Sequence, residues 1–326
     1  MFLLKKVCLS LALPVLIAVS ALFLPGCSSQ NPLNEWMRPG EKKKILSTTA
    51  QIGDLAAAVG GERIDGWVLI QGDLDPHSYE IVKGDGEKFE RADLIFYNGL
   101  GLEHGASLSA LLKDAPKAVA LGEKIASAVP EKILKKGSAT DPHIWMDISL
   151  WKEAIGPIVE ALGRIDPEGA AYYQERGESL AAKLDQAHSA LQSQLSKIPS
   201  EKRYLVTSHD AFQYFTRSYL ADPQEQDHWR GRFSAPEGLA PDGQLNPLDI
   251  QRIIDFVKAH RIEVIFPESN VSRDSIKKIA HSSKELGIEI RVCAEPLYGD
   301  SMSGLSYLEM MARNADVIQR HLEPAK

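Results

Sequence analysis

The sequence predicts an α/β protein of two lobes, each a mostly parallel sheet flanked by helices, joined by one long rigid helix. Three observations carry that prediction. Short apolar runs alternate with helix-like segments in both halves of the chain, and a helix-like stretch without an internal proline separates the two series. The third is length, since 326 residues are enough for two domains. Composition agrees. With 44% hydrophobic residues, 25% charged and 3 Cys, the chain can bury a large core and is neither a disulfide framework nor disordered.

The first segment is an address. Lys5 and Lys6 precede an uncharged run from Val7 to Leu24, closed by Pro25-Gly26-Cys27, the layout of a signal peptide over 1–26. As an uncleaved helix the run would span roughly 27 Å, just short of a ~30 Å bilayer core, and Pro14 interrupts it. Leu24 to Cys27 resembles the lipobox of bacterial lipoproteins. That resemblance implies that Cys27 becomes an acylated N-terminus and that 27–42, polar with two prolines, is a lipidated tether. After cleavage Cys293 is the one cysteine besides Cys27, so no intramolecular disulfide is expected. The balance of 37 basic and 44 acidic residues excludes a binder that works by neutralising phosphates, so no nucleic acid is expected as partner.

The N-terminal lobe is expected over 43–166. Its elements are a strand at 44–49 (KILSTT), a helix over 52–59, a strand at 67–71 (WVLIQ), a short helix at 87–92 and a buried strand at 93–97 (DLIFY). A long helix follows over 167–198, rich in Ala, Leu, Gln, Glu and Lys, with Pro167 at its start. At roughly 45 Å it exceeds a typical domain width, which suits a spine between lobes. The C-terminal lobe, 199–326, repeats the alternation. Strands are expected at 204–207 (YLVT), 263–266 (EVIF) and 288–292 (IEIRV), with helices from about 211 and over 248–260, 272–286 and 304–321. Residues 221–246, rich in Pro, Gly and acid, read as a long functional or mobile loop.

Four side chains stand out. His77 and His143 each end an Asp-Pro-His tripeptide, His209 follows the strand at 204–207, and Asp300 lies beyond the strand at 288–292. Open α/β sheets bind ligands outside the carboxyl ends of their strands. Neutral imidazoles plus one carboxylate suit a divalent transition metal, and a preceding proline lowers the entropy lost on ligation. Asp75, Asp141 and Asp210 are adjacent enough to hold the second ring nitrogen of a neighbouring histidine. Spacing alone is not a compact zinc signature, so ordinary part-buried histidines remain an alternative for each. Of the rest, His188, His260, His281 and His321 read as solvated, His228 as an accessory ligand and His104 as a rim residue.

Taken together, PHSYE (76–80), NGLGLE (98–103), DPHIWMD (141–147), SHDAFQYF (208–215), APEGLAPDGQL (235–245), VIFPES (264–269) and YGDSMS (298–303) resemble the metal-binding receptor lipoproteins of zinc and manganese ABC transporters. The resemblance is closest to members that bind with three histidines and one aspartate. It implies metal ligands at His77, His143, His209 and Asp300 between two lobes, with Glu268 close behind them. It also implies one Mn²⁺ or Zn²⁺ ion, with Fe²⁺ as a further candidate, carried as cargo. The implied partner is an ABC permease with its cytoplasmic ATPase, and the implied form is a monomer, exported and lipid-anchored on the outer side of a membrane. Residues 123–140 hold no histidine, unlike the His-rich loop of many zinc-uptake members, which shifts weight toward manganese.

A closed set of four protein ligands leaves no position for an activated water, so no enzyme is expected. The rivals are an exported metallohydrolase using the same cluster with Glu268 as general base, a dinucleotide-binding turn at Gly99-Leu100-Gly101, and a surface adhesin with a structural metal. Release of cargo is expected to move the loops carrying His209 and Asp300, with a hinge at Gly299, while the spine helix stays straight.

Overall fold

The computed structural model describes residues 31–241 and 245–323. The expected signal peptide, Cys27 and residues 242–244 of the long loop lie outside the described residues. Residues 31–42, expected as tether, contain a short helix, α1 (Pro32–Trp36), capped by Asn31, whose Oδ1 accepts from the Leu33 N–H at 3.0 Å. Trp36 anchors it. The indole is 2% exposed and donates to the Asp65 carbonyl at 2.9 Å, so part of the tether is docked on the body.

The first half alternates as expected over β1 (Lys43–Ser47), α2 (Ala50–Gly60), β2 (Ile64–Val68), α3 (Asp85–Arg91) and β3 (Leu94–Tyr97), and α4 (Ala106–Asp114), β4 (Ala118–Ala120) and α5 (Leu121–Ala128) continue it beyond the expected elements. The strands form one parallel sheet in the order β2-β1-β3-β4, with Leu46 opposite Trp67 and Ile95. β2 begins three residues before the expected 67–71. Its first half, Ile64-Asp65-Gly66, carries little apolar signal, whereas Leu69 and Ile70 continue the hydrogen bonding to Ser47 and Thr48 beyond the strand proper. A small hairpin, β5 (Lys135–Lys136) with β6 (Ala139–Thr140), precedes α6 (Ile148–Trp151) and α7 (Ile155–Ile165).

The spine helix α8 (Ala170–Leu195) follows a 3₁₀ turn at Pro167–Gly169. It packs on α2 and α7 of the first half and on α12 (Tyr307–Leu322) of the second. Gly177 permits the close crossing with α7, because a Cβ there would lie 2.9 Å from Val159. The second half contributes β7 (Leu205–Val206), α9 (Gln213–Phe215), β8 (Phe233–Ser234), α10 (Pro247–His260), β9 (Val264–Ile265), α11 (Asp274–Glu285) and β10 (Arg291–Val292). β7 pairs with β8 and β9 with β10, all parallel, and the Phe266 N–H donates to the Val206 carbonyl at 2.9 Å to join the two pairs. These strands are shorter than expected. Pro267 has no N–H to extend β9, and Glu289 is exposed within the segment preceding β10.

The long acidic loop is tied down by a buried cation. Arg232, 4% exposed, reaches Glu225 Oε2 at 2.6 Å and Asp222 Oδ2 at 3.0 Å, and Trp229 is buried beside it in a 3₁₀ turn, Gln226–Arg232. One apolar cluster runs from β1 and α2 through the spine to α12, with smaller clusters on the far side of the first sheet and under α10 and α11. No described helix is long and apolar enough to cross a membrane.

Candidate metal centre

Both Asp-Pro-His tripeptides fold into the same turn. Asp75 Oδ1 accepts from the His77 N–H at 2.9 Å, and Asp141 Oδ1 accepts from the His143 N–H at 3.0 Å. The aspartate thus closes a local loop that proline pre-orders, and the histidine is presented at its end. Only Asp141 goes further, meeting His143 Nδ1 at 2.8 Å. His209 sits three residues beyond β7, and the partner of its Nδ1 comes from the neighbouring strand's end: Glu268 Oε2 faces it at 2.8 Å, while Glu268 Oε1 accepts the His209 backbone N–H at 2.8 Å. Asp210, expected for that role, turns instead to Lys136 and to Gln213 Nε2 at 2.8 Å.

Asp300 is held from both halves of the chain. Gln51 Nε2 donates to its carbonyl at 2.9 Å, Trp145 Nε1 to the Gly299 carbonyl at 2.8 Å, and Asn270 Nδ2 to Asp300 Oδ2 at 3.0 Å. Gly299 is required by space. A Cβ there would stand 2.4 Å from Glu268 Oε2 and 3.4 Å from His209 Cε1. Of the residues that hold Asp300, Gln51, Trp145 and Asn270 carry no signal of their own in the sequence, although Trp145 stands two positions after His143 within the DPHIWMD motif.

The four expected residues converge, all buried, with one candidate ligand atom from each within 4.8 Å of the others. Four donors held tetrahedrally about 2.1 Å from one ion lie about 3.4 Å apart. His77 Nε2 and His143 Nε2 are 3.2 Å apart, and His143 Nε2 and His209 Nε2 3.4 Å. Asp300 Oδ2 lies 3.2 Å from His209 Nε2 and 3.8 Å from His77 Nε2, and its Oδ1 lies 3.5 Å from His143 Nε2. Part-buried histidines of an ordinary core do not do this. A ring that ligates a metal is neutral with one N–H, and Asp141 bonded to Nδ1 of His143 and Glu268 facing Nδ1 of His209 favour placing it there, which frees Nε2 to ligate. Asp300 Oδ1 is buried and has no hydrogen-bond partner.

Electrostatics follow from burial. Desolvation pushes His77 down to about 3, against the pull of Asp300. Burial also opposes charge on His209, but Glu268 and Asp300 outweigh it and raise this imidazole well above its ordinary value. Asp300 is held well below the usual carboxylate range, because His209, His77 and His143 together overcome its desolvation.

The other histidines stand apart. His104 lies at the rim, its ring centroid 5.7 Å from that of His77, and His228 is exposed away from the cluster, so neither is a fifth donor. His281 is exposed as expected, but His260 stacks on Tyr204 at 3.9 Å and His188 meets the Tyr219 hydroxyl at 3.0 Å. His321 packs against Phe266 and Arg291. A polar helix face in sequence still offered these three a neighbour. The glycine turn after β3 is filled by its own chain, since Glu103 accepts from the N–H groups of Asn98 (2.8 Å) and Gly99 (3.0 Å) and from Thr48 Oγ1 (2.7 Å). A pyrophosphate would have to displace that buried carboxylate, which removes the dinucleotide reading.

The sequence model of the family described as zinc-uptake complex component A, periplasmic (ZnuA), matches residues 45–321. The chain belongs to this family. The metal-binding protein YtgA of Chlamydia pneumoniae is 40% identical over 299 residues, covering 91% of this chain and 90% of that protein. The manganese-binding lipoprotein MntA of Bacillus subtilis is 28% identical, covering 87% and 90% respectively. The crystal structure of Fe(III)-bound YtgA from Chlamydia trachomatis superimposes with a TM-score of 0.82 at 36% identity, covering 86% of this chain and 98% of that one. The member described here is therefore a metal-binding component of an uptake system and not an enzyme, an extracytoplasmic protein associated with the envelope.

Proposed function

We propose that this protein captures one transition-metal ion with His77, His143, His209 and Asp300 and delivers it to an ABC permease powered by a cytoplasmic ATPase. The observation that carries the reading is the convergence of three buried imidazoles and one buried carboxylate, with one candidate ligand atom from each within 4.8 Å of the others. Glu268 and Asp141 stand behind two of the rings, orienting them and offsetting cationic charge. Three neutral imidazoles and Asp300 leave a divalent ion with a net +1, and the outer carboxylates lower the cost of burying it. Counted with Glu268 and Asp141, the carboxylates outnumber the charge of a divalent ion, which also accommodates iron, the metal held by the Chlamydia trachomatis relative. The donor set ranks Zn²⁺ above Mn²⁺ in affinity whichever is transported.

In this reading residues 1–26 are removed, Cys27 carries the lipid, 27–42 is the tether, 43–166 and 199–326 are the lobes and 167–198 is the spine, and the protein works as a monomer. MntA, described as a lipoprotein, supports the anchor. The test is metal analysis of untagged residues 28–326 after separate loading with Mn²⁺, Zn²⁺ and Fe²⁺. One ion per chain, lost in His209→Ala, is the expected result. Absence of stoichiometric metal under every loading would sink the reading.

A further inference from the structure

The two ligands contributed by the second half of the chain share an arrangement. Each is followed by a residue tied across the cleft to the first half. After His209 comes Asp210, which pairs with Lys136 of the β5–β6 hairpin. After Asp300 comes Ser301, whose hydroxyl donates to Asp73 Oδ1 at 2.7 Å, and Ser303 donates to the same oxygen at 2.8 Å. Since the Ser301 hydroxyl hydrogen is committed to Asp73, the Ser269 hydroxyl, 2.7 Å away, is the donor to Ser301. Asp73 stands four residues before His77. One carboxylate therefore joins the loop that bears His77 to the loop that bears Asp300.

These crossings differ from the others at the site. Gln51 and Trp145 are buried and hold the backbone of 299–300 from inside. Asp73 and Ser303 are exposed, and the Lys136 side chain is 49% exposed, so water can replace what they lose. Ser303 is also held at φ 45°, in the left-handed region that disfavours a side chain. Its hydroxyl contact with Asp73 maintains a backbone conformation the residue would otherwise leave. Exposed contacts that restrain a strained loop are the ones that break first when the two lobes part.

We infer that Asp73 and Lys136 are positioning residues, a two-point latch that keeps the Asp300 and His209 loops against the first lobe and sets how fast the metal leaves. This rests on the reading of the four-residue cluster as the metal centre. Neither residue touches the ion, so the latch acts on the closed state's lifetime and not on encounter. Hydrogen bonds to a charged acceptor are the stronger kind, and losing two at once is worth about tenfold in rate when water partly compensates.

The experiment is stopped-flow dissociation of Zn²⁺ into excess chromophoric chelator, with association measured separately, on residues 28–326. Asp73→Ala is expected to release Zn²⁺ about tenfold faster and Lys136→Met, which loses one half-exposed ion pair, about threefold faster, while association stays within about twofold in both. Asp73→Asn, which keeps an acceptor oxygen for both serines but not its charge, is expected to release Zn²⁺ at a rate between those of wild type and Asp73→Ala. Ser303→Ala added to Asp73→Ala is expected to change nothing further, because its partner is already gone. Dissociation unaltered in both Asp73→Ala and Lys136→Met overturns the latch, as does Asp73→Asn behaving like Asp73→Ala. Wild-type protein that takes up no Zn²⁺, Mn²⁺ or Fe²⁺ overturns the metal-site reading itself, which the equilibrium loading reveals before any rate is measured.

Discussion

Replacing Glu268 by glutamine separates two jobs that this buried carboxylate performs on His209. Glu268 is 1% exposed, faces His209 Nδ1 at 2.8 Å and accepts the His209 N–H at 2.8 Å. Its first job is to orient the ring and raise its basicity, and removing such a group typically costs about 10- to 100-fold in metal affinity, or roughly 1.5–3 kcal/mol. Its second job works against binding. With Asp300 it raises the pKa of His209 well above the ordinary value, so the metal-free centre holds a proton that an incoming ion must expel. Wild-type affinity should therefore rise about tenfold per pH unit from pH 7 up to that raised pKa. In Glu268→Gln the slope should collapse toward zero, because burial drives an imidazole neutral. His77 shows the extent, pushed down to about 3 despite the same Asp300. The variant's deficit is then small at pH 6.5 and widens as pH rises. Titration calorimetry in two buffers of different ionisation enthalpy counts the protons directly. A variant that releases as many protons per metal as wild type would refute the assignment of the proton to His209.

Four further outcomes follow from the same geometry. Gly299→Ala places a Cβ 2.4 Å from Glu268 Oε2, so it should lower metal affinity at least tenfold and cost about 1–3 kcal/mol of stability, read by calorimetry and by urea denaturation. Arg232→Met strips Glu225 of its buried cation and leaves Asp222 with Arg203 alone, and should destabilise by about 1–3 kcal/mol, discounted for the part-exposed acids, while saturated metal stoichiometry stays at one. Cys27→Ser in the full chain should abolish incorporation of labelled fatty acid and release the protein from the membrane fraction. Metal at 100 times Kd should stabilise by about 2.7 kcal/mol and raise the melting temperature by about 4 °C as one transition. The single transition is expected because one apolar cluster spans both halves and the spine, and two transitions with only one responding to metal would contradict it.

What the sequence made legible, and what it hid, divides by range of interaction. The alternation in the first half, the proline-led spine and the repeated Asp-Pro-His were visible because each is local: an apolar run, a missing breaker, an Asp side chain two residues from the N–H it accepts. By the same logic adjacency misled. It offered Asp75 and Asp210 as ring partners alongside Asp141, but Asp75 gives its oxygens to the His77 N–H and to Ser78, and Asp210 answers a lysine 74 residues away. The group that does hold His209 lies 59 residues on, and it arrives because β7 and β9 are neighbours in space. Nothing in a single sequence encodes that pairing, so Glu268 was reachable only through family resemblance. Gly299 shows the limit from the other side. Read alone, a glycine before a ligand suggests a hinge; the fold adds a second demand, because the backbone there passes a buried carboxylate–imidazole pair with no room for a Cβ. A residue's freedom to move and a neighbour's need for room leave the same letter in the chain, and only the distance to that neighbour reveals the second.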